Sequence, residues 1–342
     1  MFRLFSSSIA LLSMLFFGLI ACVPSNAETI EDDKDHVIIL AFDGWGASSF
    51  EAAEMPFLKS MLPESAWTLH KRSILPTSSA CNWATMFKGA GPEAHGYIEW
   101  DTKKPAFDIA YADAKGNFPS LFSVYREEHP DHEVGYMYQW EGMFYLFDMG
   151  DFDYVKHFAL SEVGSDAMRD ASIAYIQEKK PALALMVWDY PDHTGHTVGW
   201  YTDSYMDELS HIDSIIEGVV NACREAGIIE NTLFVITSDH GGHEKTHGQP
   251  VMSDLETPFI MFGKGVCPGE IKSPLMQYDV TAILADYLRL RHPDGWRGKT
   301  PEGLLLEIGD ETHPIHHNHQ LQQPRRSPKD YRQCCRPVIP GL

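Results

Sequence analysis

Asp43, Asp192, His196, Asp239, His240 and His247 offer carboxylates and imidazoles in a mixture suited to a pair of divalent metal ions. Asp192 and His196, in Tyr190-Pro-Asp-His-Thr-Gly-His196, are four residues apart, a spacing that brings side chains to one face of a helical turn. His247, in Thr246-His-Gly248, completes three protein ligands and leaves a position open for water or substrate, as catalytic sites require. Asp43, Asp239 and His240 make a second set of three. Such mixed sets suit zinc best, with manganese or iron as alternatives, and argue against calcium, for which imidazole is a poor ligand. Two ions about 4 Å apart can clamp the entering and leaving oxygens of an in-line displacement at phosphorus.

A nucleophile is offered by Leu75-Pro-Thr-Ser-Ser79-Ala-Cys-Asn82, where Ser79 begins a predicted helix. A helix N-terminus presents free amide donors to an anion, so Ser79 can hold phosphate and carry the attacking hydroxyl. A metal ion lowers a serine hydroxyl's pKa toward the alkoxide. The plainer alternative is that Ser78 or Ser79 only caps the helix. Each metal residue likewise has a plain account, since an Asp after a strand is often a turn residue and a lone His a surface or core one. Two complete ligand sets together with a serine at a helix start favour the site.

These residues need elements that bring distant segments together. Apolar runs without alternation precede most of them: His36 to Phe42 before Asp43, Ala182 to Trp188 before Asp189 and Asp192, and Thr232 to Thr237 before Asp239. Such runs suit strands covered on both faces, and open α/β sheets bind ligands beyond the carboxyl ends of their strands. Pro258 to Gly263 and Glu133 to Tyr138 read as further strands, and Tyr278 to Leu290 as a late helix. Ser204 to Ala226 is the clearest helix, with Tyr205, Leu209, Ile212, Ile216, Val219, Val220 and Cys223 at spacings of three and four and Gly227 where a C-terminal cap belongs. The alternation predicts an α/β fold with a mostly parallel central sheet flanked by helices. Residues 99–166 are aromatic-rich and read as an insertion, whose aromatics either line a pocket or fill the core.

The chain has 342 residues, 27 basic against 48 acidic for a net charge of −21, which argues against nucleic-acid polymers as partners and leaves a small phosphate ester held by metal. Residues 1–27 read as a signal peptide, with Arg3, an apolar stretch from Ile9 to Val23 and Ser25-Asn-Ala27 at its end. Leu19-Ile-Ala-Cys22 also resembles a lipobox, so the expectation is export to the periplasm or the exterior, with a membrane anchor only if Cys22 is lipidated. The six cysteines lack the spacing of a disulfide scaffold, and no Cys-x-x-Cys pair offers a thiolate zinc site. Residues 310–342 read as a polar, disordered tail, which leaves 28–309 as one catalytic domain.

Ala41-Phe-Asp-Gly44, Pro76 to Gly96, Pro191 to Gly199 and Ser238 to Gly248 together resemble the alkaline phosphatase superfamily, and within it the type I phosphodiesterase and nucleotide pyrophosphatase group. The resemblance implies an alkaline-phosphatase-like three-layer sandwich. It also implies a covalent intermediate on Ser79, with Asn82 helping to hold a non-bridging oxygen. Asp43, Asp239 and His240 would then bind the ion that activates Ser79, and Asp192, His196 and His247 the ion that stabilises the leaving oxygen. Sulfatases of that superfamily carry Cys or Ser followed by x-Pro-x-Arg, which Ser79-Ala-Cys-Asn-Trp83 lacks. The expected activity is hydrolysis of a phosphodiester or phosphoanhydride such as a nucleotide derivative. A phosphomonoesterase and a non-catalytic exported binding protein are the alternatives.

Overall fold

A computed structural model describes residues 35–160 and 164–306, which all fall in one compact unit. The most apolar runs form its inner strands. In chain order the strands are β1 (His36–Phe42), β2 (Ser65–Arg72), β3 (Val134–Tyr138), β4 (Tyr154–His157), β5 (Leu183–Trp188), β6 (Thr232–Thr237), β7 (Glu256–Gly263) and β8 (Gly269–Glu270). They make one sheet in the order β4-β3-β5-β1-β6-β7-β2-β8. From β4 to β6 all neighbours are parallel, and β7 runs antiparallel to both β6 and β2. In register, Leu40 of β1 sits between Met186 of β5 and Ile236 of β6.

Helices cover both faces, giving the three-layer α/β sandwich that the alternation predicts. Val37, Ile39, Leu185 and Val235 pack under Trp83 and Phe87 of the helix Ser79–Lys88 and under Ile283 and Leu284 of the helix Asp279–Tyr287. The alternate residues Ile38, Leu40, Met186 and Ile236 pack under Leu209, Ile212 and Ile216 of the long helix Asp203–Glu225. Burying each such side chain contributes about 1.5–3 kcal/mol before the chain's entropy loss is counted. The Thr202 side chain accepts from the Tyr205 amide at the start of the long helix, and Gly227, at φ 74°, ends it. The helix Asp279–Tyr287 stops short of the predicted Leu290 because the chain turns left-handed at Arg289, with φ 58°.

The reading of residues 99–166 as an insertion needs correction from Leu121 onward. That part contributes β3, β4 and the helix Leu121–Glu128 to the framework itself. Tyr136, Phe147 and Phe152 are core residues around Phe122, with ring centroids of Phe122 and Phe152 5.0 Å apart. The predicted signal segment with Cys22, and the tail from 310, lie outside the described residues. Among those described, no helix is long and apolar enough to cross a membrane.

Candidate metal centre and nucleophile

Phe42 pairs with Trp188 and Ala41 with Thr237, so β1, β5 and β6 end side by side and the residues just beyond them meet. The Asp43 amide donates to the Trp188 carbonyl, and the Asp192 amide to the Asp43 carbonyl, each at 2.9 Å. Gly44 follows at φ 73°, and a Cβ there would lie 2.6 Å from Asp192 Cβ, so only glycine lets Asp192 come this close. All six predicted ligands gather here. Ligand atoms of Asp192, His196 and His247 lie within 4.8 Å of one another, as do those of Asp43, Asp192 and His240. Asp239 Oδ2 is 3.3 Å from His240 Nε2. Asp192 therefore belongs to both groups, where sequence spacing assigns it to one.

The hydrogen bonds around these groups argue for cations between them. His240 Nδ1 donates to the Gly241 carbonyl at 2.8 Å, His247 Nδ1 to Thr77 at 2.7 Å and His196 Nδ1 to Lys245 at 3.0 Å. A carbonyl can only accept, so in each neutral ring Nε2 carries a lone pair. Those lone pairs face carboxylate oxygens: His196 Nε2 is 3.4 Å from Asp192 Oδ2, and His240 Nε2 is 3.4 Å from Asp43 Oδ1. Asp43 Oδ1, Asp192 Oδ1 and Asp239 Oδ2 are buried and accept no hydrogen bond. Acceptors facing acceptors repel in a buried site unless positive charge lies between them. This donor set fits divalent metal ions.

The same crowding shifts the ionisations. Burial, then the neighbouring carboxylates, hold Asp43 and Asp192 well above the usual carboxylate range, and burial pushes Asp239 up to about 7. Burial also pushes His240 and His247 down to about 3, so both rings stay neutral near pH 7. Below about pH 7, Asp239 holds a proton that a metal must displace. We expect zinc affinity, measured by chelator competition, to weaken by roughly tenfold per pH unit for each proton displaced as pH falls from 8 to 6. An affinity independent of pH over that range would contradict the buried, protonated carboxyl.

Ser79 opens the helix Ser79–Lys88, and its Oγ lies 3.2 Å from His240 Nε2, a geometry in which the hydroxyl donates to the ring. One turn along, Trp83 Nε1 donates to Asp43 Oδ2 at 3.0 Å, tying the helix to the ligand cluster. Sequence reasoning passed over Trp83, whose only signal is its spacing of four from Ser79. Thr77 is committed to the His247 loop, since its carbonyl accepts from His247 Nδ1 and its Oγ1 accepts from the Gly248 amide. His243 contacts Asp254 Oδ1 at 2.7 Å and braces that loop, as Asp254 Oδ2 accepts from the Gln249 amide. Cys81 is fully buried, and its thiol is pushed up to about 12, chiefly by that burial.

Asn82 requires a correction. Its Oδ1 accepts from the Ile74 amide at 2.8 Å, and its Nδ2 donates to the carbonyls of Ile74, Pro76 and Ser78. The amide is thus spent on shaping the loop before Ser79, and no part of it is exposed. The free group beside the nucleophile is Ser78 Oγ, buried and without a partner, because Ser78 heads the helix without a side-chain cap bond. Ser78 and Ser79 both line a cavity of about 610 Å³ with Asp192, His196 and His247. Underneath, the buried Lys71 donates to the Ser238 carbonyl at 2.8 Å and also to Gln277 Oε1, while Gln277 Nε2 donates to the Asp239 carbonyl at 3.0 Å.

Known proteins share sequence and fold with this chain. The family model described as type I phosphodiesterase / nucleotide pyrophosphatase matches residues 37–256. Bis(5'-adenosyl)-triphosphatase ENPP4 of Homo sapiens is 22% identical over 242 residues, covering 68% of this chain and 52% of that protein. The chain thus spans about half the length of the curated relatives it matches. An inactive form of murine ectonucleotide pyrophosphatase / phosphodiesterase 5, solved with AMP, superposes with a TM-score of 0.64 at 15% identity, covering 78% of this chain and 98% of that one. A 2-O GAG sulfatase superposes with a TM-score of 0.59 at 15% identity, covering 78% and 73%. These structural likenesses show an alkaline-phosphatase-like fold.

Proposed function

This chain belongs to the type I phosphodiesterase / nucleotide pyrophosphatase family, and from that premise we propose that it hydrolyses phosphodiester or phosphoanhydride bonds of small substrates through a covalent Ser79 intermediate, using two divalent ions, most suitably zinc. The observation that carries this reading is the Ser79 hydroxyl, 3.2 Å from His240 Nε2, at a helix start beside buried carboxylate oxygens that lack partners. Asp43, Asp239 and His240 would hold one ion, and Asp192, His196 and His247 the other. Bound there, the ions supply Lewis-acid charge that acidifies the serine hydroxyl and steadies the oxygens around phosphorus.

The chain's own residues do the rest. Ser79 Oγ attacks phosphorus, an Oγ–P bond forms, and the bond to the departing alcohol or phosphate oxygen breaks. Water then attacks the same phosphorus, Oγ leaves and regains its proton, and Ser79 is restored. The helix start presents amide donors to the phosphoryl oxygens, and Ser78 Oγ adds a side-chain donor there. No Lys or Arg lines the cavity among the described residues, which favours a singly charged diester over a doubly charged monoester. The segment 1–27 supports an exported enzyme.

The test is turnover of an aryl phosphate diester, an aryl phosphate monoester and an aryl sulfate by zinc-loaded protein. Preference for the diester is expected. Preference for the monoester would make the protein a phosphatase, and failure on all three would favour a binding protein. We expect Ser78→Ala to lower kcat on the diester by roughly tenfold to a hundredfold with little change in KM, and Ser78→Thr to restore most of it. An unchanged kcat would remove Ser78 from the reaction.

A further inference from the structure

Beneath the ligand cluster, two fully buried polar side chains tie together segments that the chemistry needs in register. Lys71, next to the end of β2, spends its bonds on neutral oxygens: Nζ donates to the Ser238 carbonyl at 2.8 Å and to Gln277 Oε1. Gln277 passes the tie on, since its Nε2 donates to the Asp239 carbonyl at 3.0 Å and to the Asn82 carbonyl at 3.5 Å. Ser73 Oγ gives the Asp239 carbonyl a second bond at 2.5 Å. One amide thus joins β2, the loop that carries Asp239 and His240, and the helix that begins at Ser79.

Stability is a poor reason for such a pair. An amine and an amide taken out of water cost free energy that their hydrogen bonds only offset, and methionine at 71 with leucine at 277 would fill similar space without that cost. Position is the better reason. The Ser238 and Asp239 carbonyls belong to the two peptides on either side of the Asp239 Cα, so holding both fixes how the Asp239 side chain leaves the loop and where His240 follows. The Asn82 carbonyl lies three residues along the helix from Ser79, whose Oγ is 3.2 Å from His240 Nε2. A slip of this loop against that helix would part the two.

We propose that Lys71 and Gln277 are positioning residues, which hold the Asp239–His240 loop against the nucleophile helix so that Ser79 meets the ligand cluster in register. The proposal rests on the phosphodiesterase reading above. Lys71→Met combined with Gln277→Leu removes the tie whole. On bis(4-nitrophenyl) phosphate the zinc-loaded double variant should show kcat roughly tenfold to a hundredfold lower with KM little changed. Its metal-free form should melt no lower than the native chain, because apolar side chains replace buried polar ones. Gln277→Glu separates a tie from a mere partner for Lys71: the carboxylate still accepts from Nζ but offers the Asp239 and Asn82 carbonyls no donor, so kcat should fall here too. Native kcat in either variant would overturn the proposal, as would a loss of turnover that came with a lower melting temperature and lost metal. Cobalt reads the same point without turnover, since its visible absorption follows ligand geometry. The cobalt-loaded double variant should keep the native metal content and show shifted bands. An unchanged spectrum in a chain that cleaves no diester would overturn the positioning role. Shifted bands in such a chain would overturn the phosphodiesterase reading alone.

Discussion

Replacing Ser79 with alanine should lower turnover of an aryl phosphodiester by roughly three orders of magnitude or more while the protein stays folded and keeps its zinc. The reason lies in how little else Ser79 does. It is the first residue of its helix, where alanine is well tolerated, and its side chain bonds to His240 Nε2. His240 keeps its tautomer through Gly241, and Asp43 keeps its bond to Trp83, so the ligand cluster survives the change. No neighbour can take over, because Thr77 is held by the His247 loop and the Cys81 thiol is buried and held protonated. Acid-quenched protein examined by intact mass during turnover should carry a phosphoryl adduct in the native chain and none in Ser79→Ala. A variant that retained a tenth of native turnover, or that still formed the adduct, would move the nucleophile elsewhere.

How much of this was legible in the sequence depended on burial. β1, β5 and β6 are covered on both faces, so their apolar runs stand out, and their ends mark where ligands gather. β4 is a short edge strand whose residues are mostly exposed, and β2 mixes buried and exposed positions near the other edge, so neither shows such a run. The gathering of the six candidate ligands was legible because carboxylates and imidazoles after strands have few other reasons to cluster. The sharing of Asp192 was not, because it depends on Gly44 letting the two loops touch. Asn82 shows the limit of spacing as a guide. An amide three residues after a serine can face either a substrate or the preceding loop, and only the positions of the Ile74, Pro76 and Ser78 carbonyls decide which. The buried pair Lys71 and Gln277, far apart in the chain, carried no local signal at all.

Asp192→Asn should have the broadest effect of any ligand substitution, because this one side chain belongs to both groups. Zinc content by elemental analysis should fall at both positions, and turnover should drop by roughly three orders of magnitude or more. Stability should move in opposite directions with and without metal. In metal-free protein, burial and the charges of Asp189 and Asp239 raise the Asp192 pKa well above its unfolded value. A carboxyl raised on folding contributes stability below its unfolded pKa, near 3.8, and loses it as pH rises toward the folded value. An amide carries no such penalty. The metal-free variant should therefore melt at a higher temperature than the metal-free native chain at pH 8, by an amount that shrinks as pH falls toward 4. With zinc present the order should reverse, since ions that bind only the folded native chain stabilise it in proportion to their binding free energy. Thermal melts of both proteins with zinc and with chelator test this directly. A metal-free variant no more stable than the native chain would mean that the carboxylates are not in repulsion, and the case for cations between them would lose its physical basis.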